Sequence, residues 1–299
     1  MPSEPTISTL DGSLSWNYPR RGNLFSLALL SSLVVIMYAP VLWPLARQWW
    51  NDPNYGHALL VPLFVAYILW RDRARWQTVP SRPNDYGLLI MLLALALLVL
   101  GMLAAELFTA RVSLIVLISG IIVFLAGGPT LRSVAFPIGY LIFMIPLPAL
   151  VYYQLTFPMQ LWASRLGTHG LVILGVHTLR HGNLLMLPNV TLEVVEACSG
   201  VRSLLSLLAA VVAYGYWMER SIWKRCLLVA LTIPIVILSN GLRLVATGVL
   251  SFDYGSGVDS GALHTLLGLA FFGLAFLSIV LIHQLLRHIT NQWDSTLVY

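Results

Sequence analysis

Residues 86–128 read YGLLIMLLALALLVLGMLAAELFTARVSLIVLISGIIVFLAGG. Only Glu106 and Arg111 carry charge in that stretch. A membrane-crossing helix needs about 20 apolar residues, so the stretch is read as two spans, 86–106 and 112–128, joined at Arg111. Working outward, further runs of the same kind lie at 24–46, 57–70, 132–150, 199–218, 225–250 and 264–286. The expected fold is therefore an all-α polytopic membrane protein with about eight transmembrane helices. The 57–70 run is short. The 132–150 run holds Pro137, Pro146 and Pro148 and is expected to kink or break.

Composition agrees. Of 299 residues, 58% are hydrophobic and 10% charged, against about 25% charged in a soluble domain. Mean hydropathy is +0.82. The net charge of +5 does not point to nucleic acid, because the basic residues fall in short clusters between apolar runs. Trp and Tyr gather near run ends, as at Trp49, Trp50, Trp70 and Tyr86. The polar start and the long first run do not match a cleaved leader. Expected boundaries are a cytoplasmic tail over 1–23, one transmembrane domain over 24–290, and a cytoplasmic tail over 291–299.

Residues 151–197 differ from the rest. Their first half is amphipathic and Gly-interrupted, as in an interfacial or membrane-dipping helix. Their second half carries β-branched residues around Gly182-Asn183, the signal of a small hairpin. The loops holding Arg20 and Arg21, Arg71 to Arg82, Arg132, Arg220 to Arg225 and Arg287 carry eleven basic residues against four in the other set. The positive-inside rule then sets the 151–197 segment and the 251–263 loop on the outer side.

That orientation brings three reactive residue types to one depth. Cys198 opens the sixth run, His264 opens the eighth, and Arg243 lies about 10 Å below the end of the seventh. Free cysteines are commonly small buried hydrophobes, but Glu196, Ser199, Gly200 and Arg202 crowd Cys198, and a helix N-terminus favours the thiolate. Cys226, the second of two cysteines, falls at the opposite end of its run, which excludes a pairing of the two. A charge inside a span costs about 2.5–3.5 kcal/mol, so Arg243 marks function or else snorkels to the interface. Asn240 shares its helix face at i−3. His57 is a candidate accessory residue on the outer side, and Arg202 is read as a partner of Glu196, a positioner of Cys198 or a binder of an acidic substrate group. The chain lacks phosphate-loop, zinc-protease and serine-hydrolase motifs. Thiol, imidazole and guanidinium together suit acyl transfer through a thioester, with no metal and no cofactor.

At these residues the chain resembles the exosortase/archaeosortase family. The resemblance rests on E196-A-C-S-G-V-R202, on N240-G-L-R243 after Pro234, and on His264; it extends to YGHALLVPLFVAYILWRDR (55–73), FPIGYLIFMIPLP (136–148) and HGNLLMLP (181–188). It implies a membrane-embedded cysteine protease or transpeptidase of the inner membrane, with Cys198, Arg243 and His264 as the catalytic set and Glu196, Arg202, Asn240 and His57 in support. It implies substrates that are secreted proteins with a PEP-CTERM tail: a Pro-Glu-Pro motif, one span and a basic end. Cleavage on the periplasmic face would pass the protein to an extracellular polysaccharide or lipid acceptor, in a setting of exopolysaccharide and biofilm matrix. Arg202 and Arg180 are the candidates for reading the substrate glutamate. The competing class is a non-enzymatic transporter or assembly subunit for polysaccharide export, built around Arg243 and the Pro-broken fifth run.

Overall fold

The computed structural model describes residues 21–194, 200–254 and 261–296. Among them, six helices are long and apolar enough to cross a membrane, and a bent pair makes up to a seventh. The six lie within α1 (Arg21–Asn51), α4 (Tyr86–Leu103), α5 (Leu107–Ala126), α9 (Val201–Met218), α10 (Ile222–Tyr254) and α11 (Gly261–Thr296). The protein is a multi-pass, all-α membrane protein.

The short second run is a 3-10 segment, Pro53–Leu59, followed by α2 (Leu60–Arg71). It does not reach spanning length as one helix, which is why the count falls below eight. Asp52 accepts from Asn54 N–H at 2.9 Å and caps the segment ahead of Pro53. The pair nonetheless runs beside α9 over its whole length. Asn54 meets Arg202 at one end, and Asp72 accepts from the Tyr216 hydroxyl at 3.2 Å at the other.

After α3 (Arg73–Gln77), α4 and α5 form a tight antiparallel pair. Their turn uses Ala105 at φ 52°, a left-handed position. Glu106 then caps α5, accepting from Phe108 N–H and Thr109 N–H at 3.1 and 2.7 Å. The helix therefore begins before Arg111. The sequence expectation of Arg111 in a loop is corrected: it lies inside α5 and is buried. The pair packs backbone to backbone at Gly87, where a Cβ would come within 2.3 Å of Phe124 N.

The fifth run is broken as expected. It passes through α6 (Gly128–Ser133), α7 (Ala135–Tyr140) and a 3-10 turn at Leu141–Met144, then bends by 76° into α8 (Ala149–Ile173). Pro146 and Pro148 sit at the break, where neither can donate to a helix. Leu166 and Leu171 of α8 press on Gly241 and Gly248 of α10, so the two helices run parallel there. The expected hairpin is present with one more strand: β1 (Leu179–His181), β2 (Leu184–Met186) and β3 (Thr191–Glu193), antiparallel in that order. The first turn is Gly182-Asn183, with Gly182 at φ 66°. Leu185, Leu187, Leu192 and Val194 bury against Ala163 and Leu171 of α8 and Leu244 of α10.

The end of α9 far from Arg202 is locked by Glu219. Its Oε1 accepts from the N–H groups of Arg220 and Ser221 at 2.8 and 2.9 Å. Its Oε2 lies 3.2 Å from His283 Nε2 on α11, and His283 Nδ1 lies 2.8 Å from the Tyr214 hydroxyl. Burial pushes the Glu219 carboxyl up, but the donors from Ser221, His283 and Arg220 and the charge of Lys224 outweigh it and hold the group below its ordinary value. A lowered native value gives stability that is present above the ordinary value of 4.5 and lost as pH falls through the lowered one. In detergent, the melting temperature should fall below about pH 4.5 in the wild type and much less in Glu219→Gln. In a second test, Gly87→Ala should destabilise by about 1–3 kcal/mol through overpacking. Gly139→Ala, whose added Cβ meets nothing within 4 Å, should not; thermal melting monitored by size-exclusion chromatography compares them.

Candidate functional site

The 33-residue α10 carries Asn240 and Arg243 about two thirds along its length. Both are buried, at 7% and 8% exposure. His264, three residues into α11, comes across from the next helix, and its Nε2 lies 2.8 Å from Arg243 Nη2. A guanidinium has no acceptor. Arg243 must donate and the imidazole must accept, so His264 is neutral in this arrangement with its proton on Nδ1. Gly268, one turn down α11, makes room: a Cβ there would sit 3.8 Å from the guanidinium carbon. Ser203, Leu207, Ser239 and Phe272 complete a narrow crevice around Arg243. Ser239 ties α10 to α11 by donating to Phe271 O at 2.8 Å.

Cys198 and Glu196 lie outside the described residues. The chain on either side of them is described. Val194 is fully buried in the cluster that contains Leu244, the neighbour of Arg243. Gly200 opens α9 at φ 82°, and a Cβ on it would come within 3.2 Å of the Asn240 side chain. That conformation costs an L-residue about 1–2 kcal/mol, and the contact with Asn240 adds to it. The flank after them therefore rests on Asn240 of α10, and the flank before them lies in the apolar cluster that includes Leu244.

Arg202 and His57 form a different group. Arg202 Nε donates to Asn54 Oδ1 at 3.0 Å, and Ser206 Oγ lies 3.1 Å from His57 Nδ1. Arg202 and Ser206 share one face of α9, while Ser203 and Leu207, one residue further, look into the Arg243 crevice. One residue is about 100° of helix rotation, so α9 divides two polar clusters that meet near its first turn. The structure thus brings Arg243, His264 and Asn240 together and sets Arg202 and His57 on the adjacent face. Arg180, on β1, is exposed and donates to Gly182 O at 2.8 Å. Cys226 is exposed on α10, seventeen residues before Arg243 or about 25 Å along the axis. His283 is at the far end with Glu219. Among the described residues no group of three or more His, Cys, Asp or Glu side chains could hold a metal.

Sequence reading missed Ser203, Ser239 and Gly268, small residues whose only signal is their spacing from Arg202, Asn240 and His264. It also missed Asn54, signalled by the Asp52-Pro53 cap.

The family model for transmembrane exosortases matches residues 49–281, more than three quarters of the chain. The chain belongs to the exosortase family. Every residue of the Arg243 crevice and of the Asn54–Arg202 group falls inside the matched region. No curated protein and no solved structure matches this exosortase chain.

The geometry of its α9 start makes a test. Gly200→Ala should lower the melting temperature in detergent by an amount matching about 1–2 kcal/mol. Gly273→Ala, in α11 with open space around it, should leave it unchanged. Equal melting of the two variants would mean that Gly200 does not need its left-handed backbone.

Proposed function

We propose that this protein is a cysteine protease or transpeptidase with Cys198 as nucleophile, His264 as general acid and base, and Arg243 as the oxyanion partner. The observation that carries the reading is the 2.8 Å contact between Arg243 and His264, on a helix stretch against which Gly200 packs. Two peptide units separate Cys198 from Gly200, about 7.6 Å of chain at most. In this reading the Cys198 side chain meets Arg243 and His264 beside Asn240, against which Gly200 packs.

The Nε2 lone pair of neutral His264 is the one that can take the thiol proton, so Arg243 must first turn away from it toward an incoming anion. Once protonated, the imidazolium and the guanidinium are both donors only, and their hydrogen bond does not re-form until His264 gives the proton up. The thiolate attacks the substrate carbonyl, and the guanidinium stabilises the oxyanion in a low-dielectric crevice. Collapse of the tetrahedral species expels the amine, which takes its proton from His264 and leaves a thioester on Cys198. His264 next deprotonates water or an acceptor nucleophile, whose attack releases the product and restores the thiol. Asn240, beside Gly200, is a supporting group for the Cys198 segment.

The substrates of this reading are secreted proteins with a Pro-Glu-Pro motif, a single span and a basic end. Their motif would meet the site at the outer face of a bacterial inner membrane, with a polysaccharide or lipid as acceptor. The excess of basic residues on the Glu219 side supports that orientation.

Co-expression with a tailed reporter tests this, with mass spectrometry of the reporter's new C-terminus. Cys198→Ala, Arg243→Ala and His264→Ala should each abolish processing while the protein still inserts. A thiol-reactive probe should label Cys198 ahead of Cys226. Normal processing by Cys198→Ala would overturn the mechanism, and processing by none of the proteins, with no labelling of Cys198, would favour a transport or assembly role.

A further inference from the structure

Arg111 is the buried charge that neither the crevice nor the far-end lock uses. It is 5% exposed. Its Nε is sealed from solvent without a hydrogen-bond partner. The ion pairs among the described residues both belong to Glu219. Glu106 is close in sequence, but its two oxygens accept from Phe108 N–H and Thr109 N–H at the start of α5. Tyr55 faces Arg111 from the 53–59 segment, and burial pushes its phenol up to about 12. It therefore stays neutral and can donate but cannot neutralise the guanidinium. The Glu106 carboxylate lies within electrostatic reach of the guanidinium, but with both oxygens spent on the cap it leaves Nε without an acceptor. A buried donor without an acceptor is costly, and the cost is removed when an acceptor arrives.

The location narrows what that acceptor is. Tyr55 follows Asn54, whose side chain holds Arg202 in the first turn of α9, four residues after Cys198. Arg111 is thus one residue along the 53–59 segment from the group that borders the nucleophile's segment. Gly56, next to Tyr55, has open space where a side chain would stand, which leaves an approach for an extended peptide. The guanidinium faces protein and not lipid, so a membrane headgroup is the poorer fit. Arg202 and Arg180 already donate to Asn54 and to Gly182 O.

We infer that Arg111, with the Tyr55 hydroxyl, is a carboxylate-binding subsite that reads an acidic side chain of the peptide substrate. This rests on the peptidase reading above. A carboxylate there would accept from the guanidinium and from the phenol, charge-assisted bonds that fix one residue of the substrate and so the register of the scissile bond.

The experiment compares two tailed reporters, one with the motif glutamate and one with glutamine, in wild type, Arg111→Gln and Arg111→Lys. Wild type should prefer the glutamate reporter by about 10- to 100-fold in processing rate, the worth of a charged hydrogen-bonded pair. In Arg111→Gln that preference should collapse toward one, and Arg111→Lys should retain part of it. Probe labelling of Cys198 and the melting temperature verify that each variant is folded. A glutamate preference that survives in folded Arg111→Gln overturns the proposal. If anionic phospholipid in reconstituted vesicles changes both reporters by one factor, and only while Arg111 is present, the ligand is a lipid phosphate and the proposal is wrong. Failure of wild type on both reporters sinks the peptidase reading itself, a result distinct from all of these.

Discussion

The cost of holding charge away from water governs this molecule. A side-chain cation in the middle of a span is expensive unless something answers it, and three buried or half-buried groups here show how it is answered. Arg243 donates to His264. Glu219 gathers two backbone donors and His283. Glu106 spends its carboxylate on the first N–H groups of α5. Two of these bonds, Arg243 to His264 and His283 to Glu219, tie different helices together, so the same constraint that makes polar groups rare in the interior helps to fix how the helices are arranged. Apolar packing alone would specify them less tightly, since lipid competes equally well for apolar faces.

The crevice around Arg243 illustrates the point. Its walls come from α9, α10 and α11, and its polar lining includes Ser203, Ser239, Asn240 and Arg243. A neutral imidazole held by a guanidinium is stable in a dry setting, whereas a charged one would repel it. The pair is therefore both a structural tie between two helices and a proton-sensitive element, and the two roles cannot be separated by removing one partner.

Much of this was legible in the chain. The run at 86–128 announced a membrane protein, the prolines at 146 and 148 announced the break, and Gly182-Asn183 announced the hairpin. Arg243, Asn240 and His264 could be placed together because span direction fixes depth. Three things were harder to read. The 53–71 stretch has too little apolar length for a helix that spans by itself, and its partnership with α9 depends on Asn54 and Asp72, which sequence pattern treats as turn residues. Arg111 was assigned to a loop because charge counting ignores caps; Glu106 followed by Leu107 is a helix start, and that start pulls Arg111 inside. Arg202 was read from its place one turn after Cys198, and His57 from its side of the membrane alone. Neither signal carries information about azimuth, and a single residue step on α9 separates the face that meets Asn54 and His57 from the face that meets Arg243.

Both ends of α9 are tied to its neighbours. Beyond Tyr216 the helix is gripped by Asp72, Glu219 and the His283 network. At its start, Arg202 donates to Asn54 on one side, and Gly200 rests on the Asn240 amide on the other. The helix is in effect a shared wall, with one face belonging to the Asn54 cluster and the next to the Arg243 crevice. A substitution in its first turn therefore reaches two neighbourhoods at once.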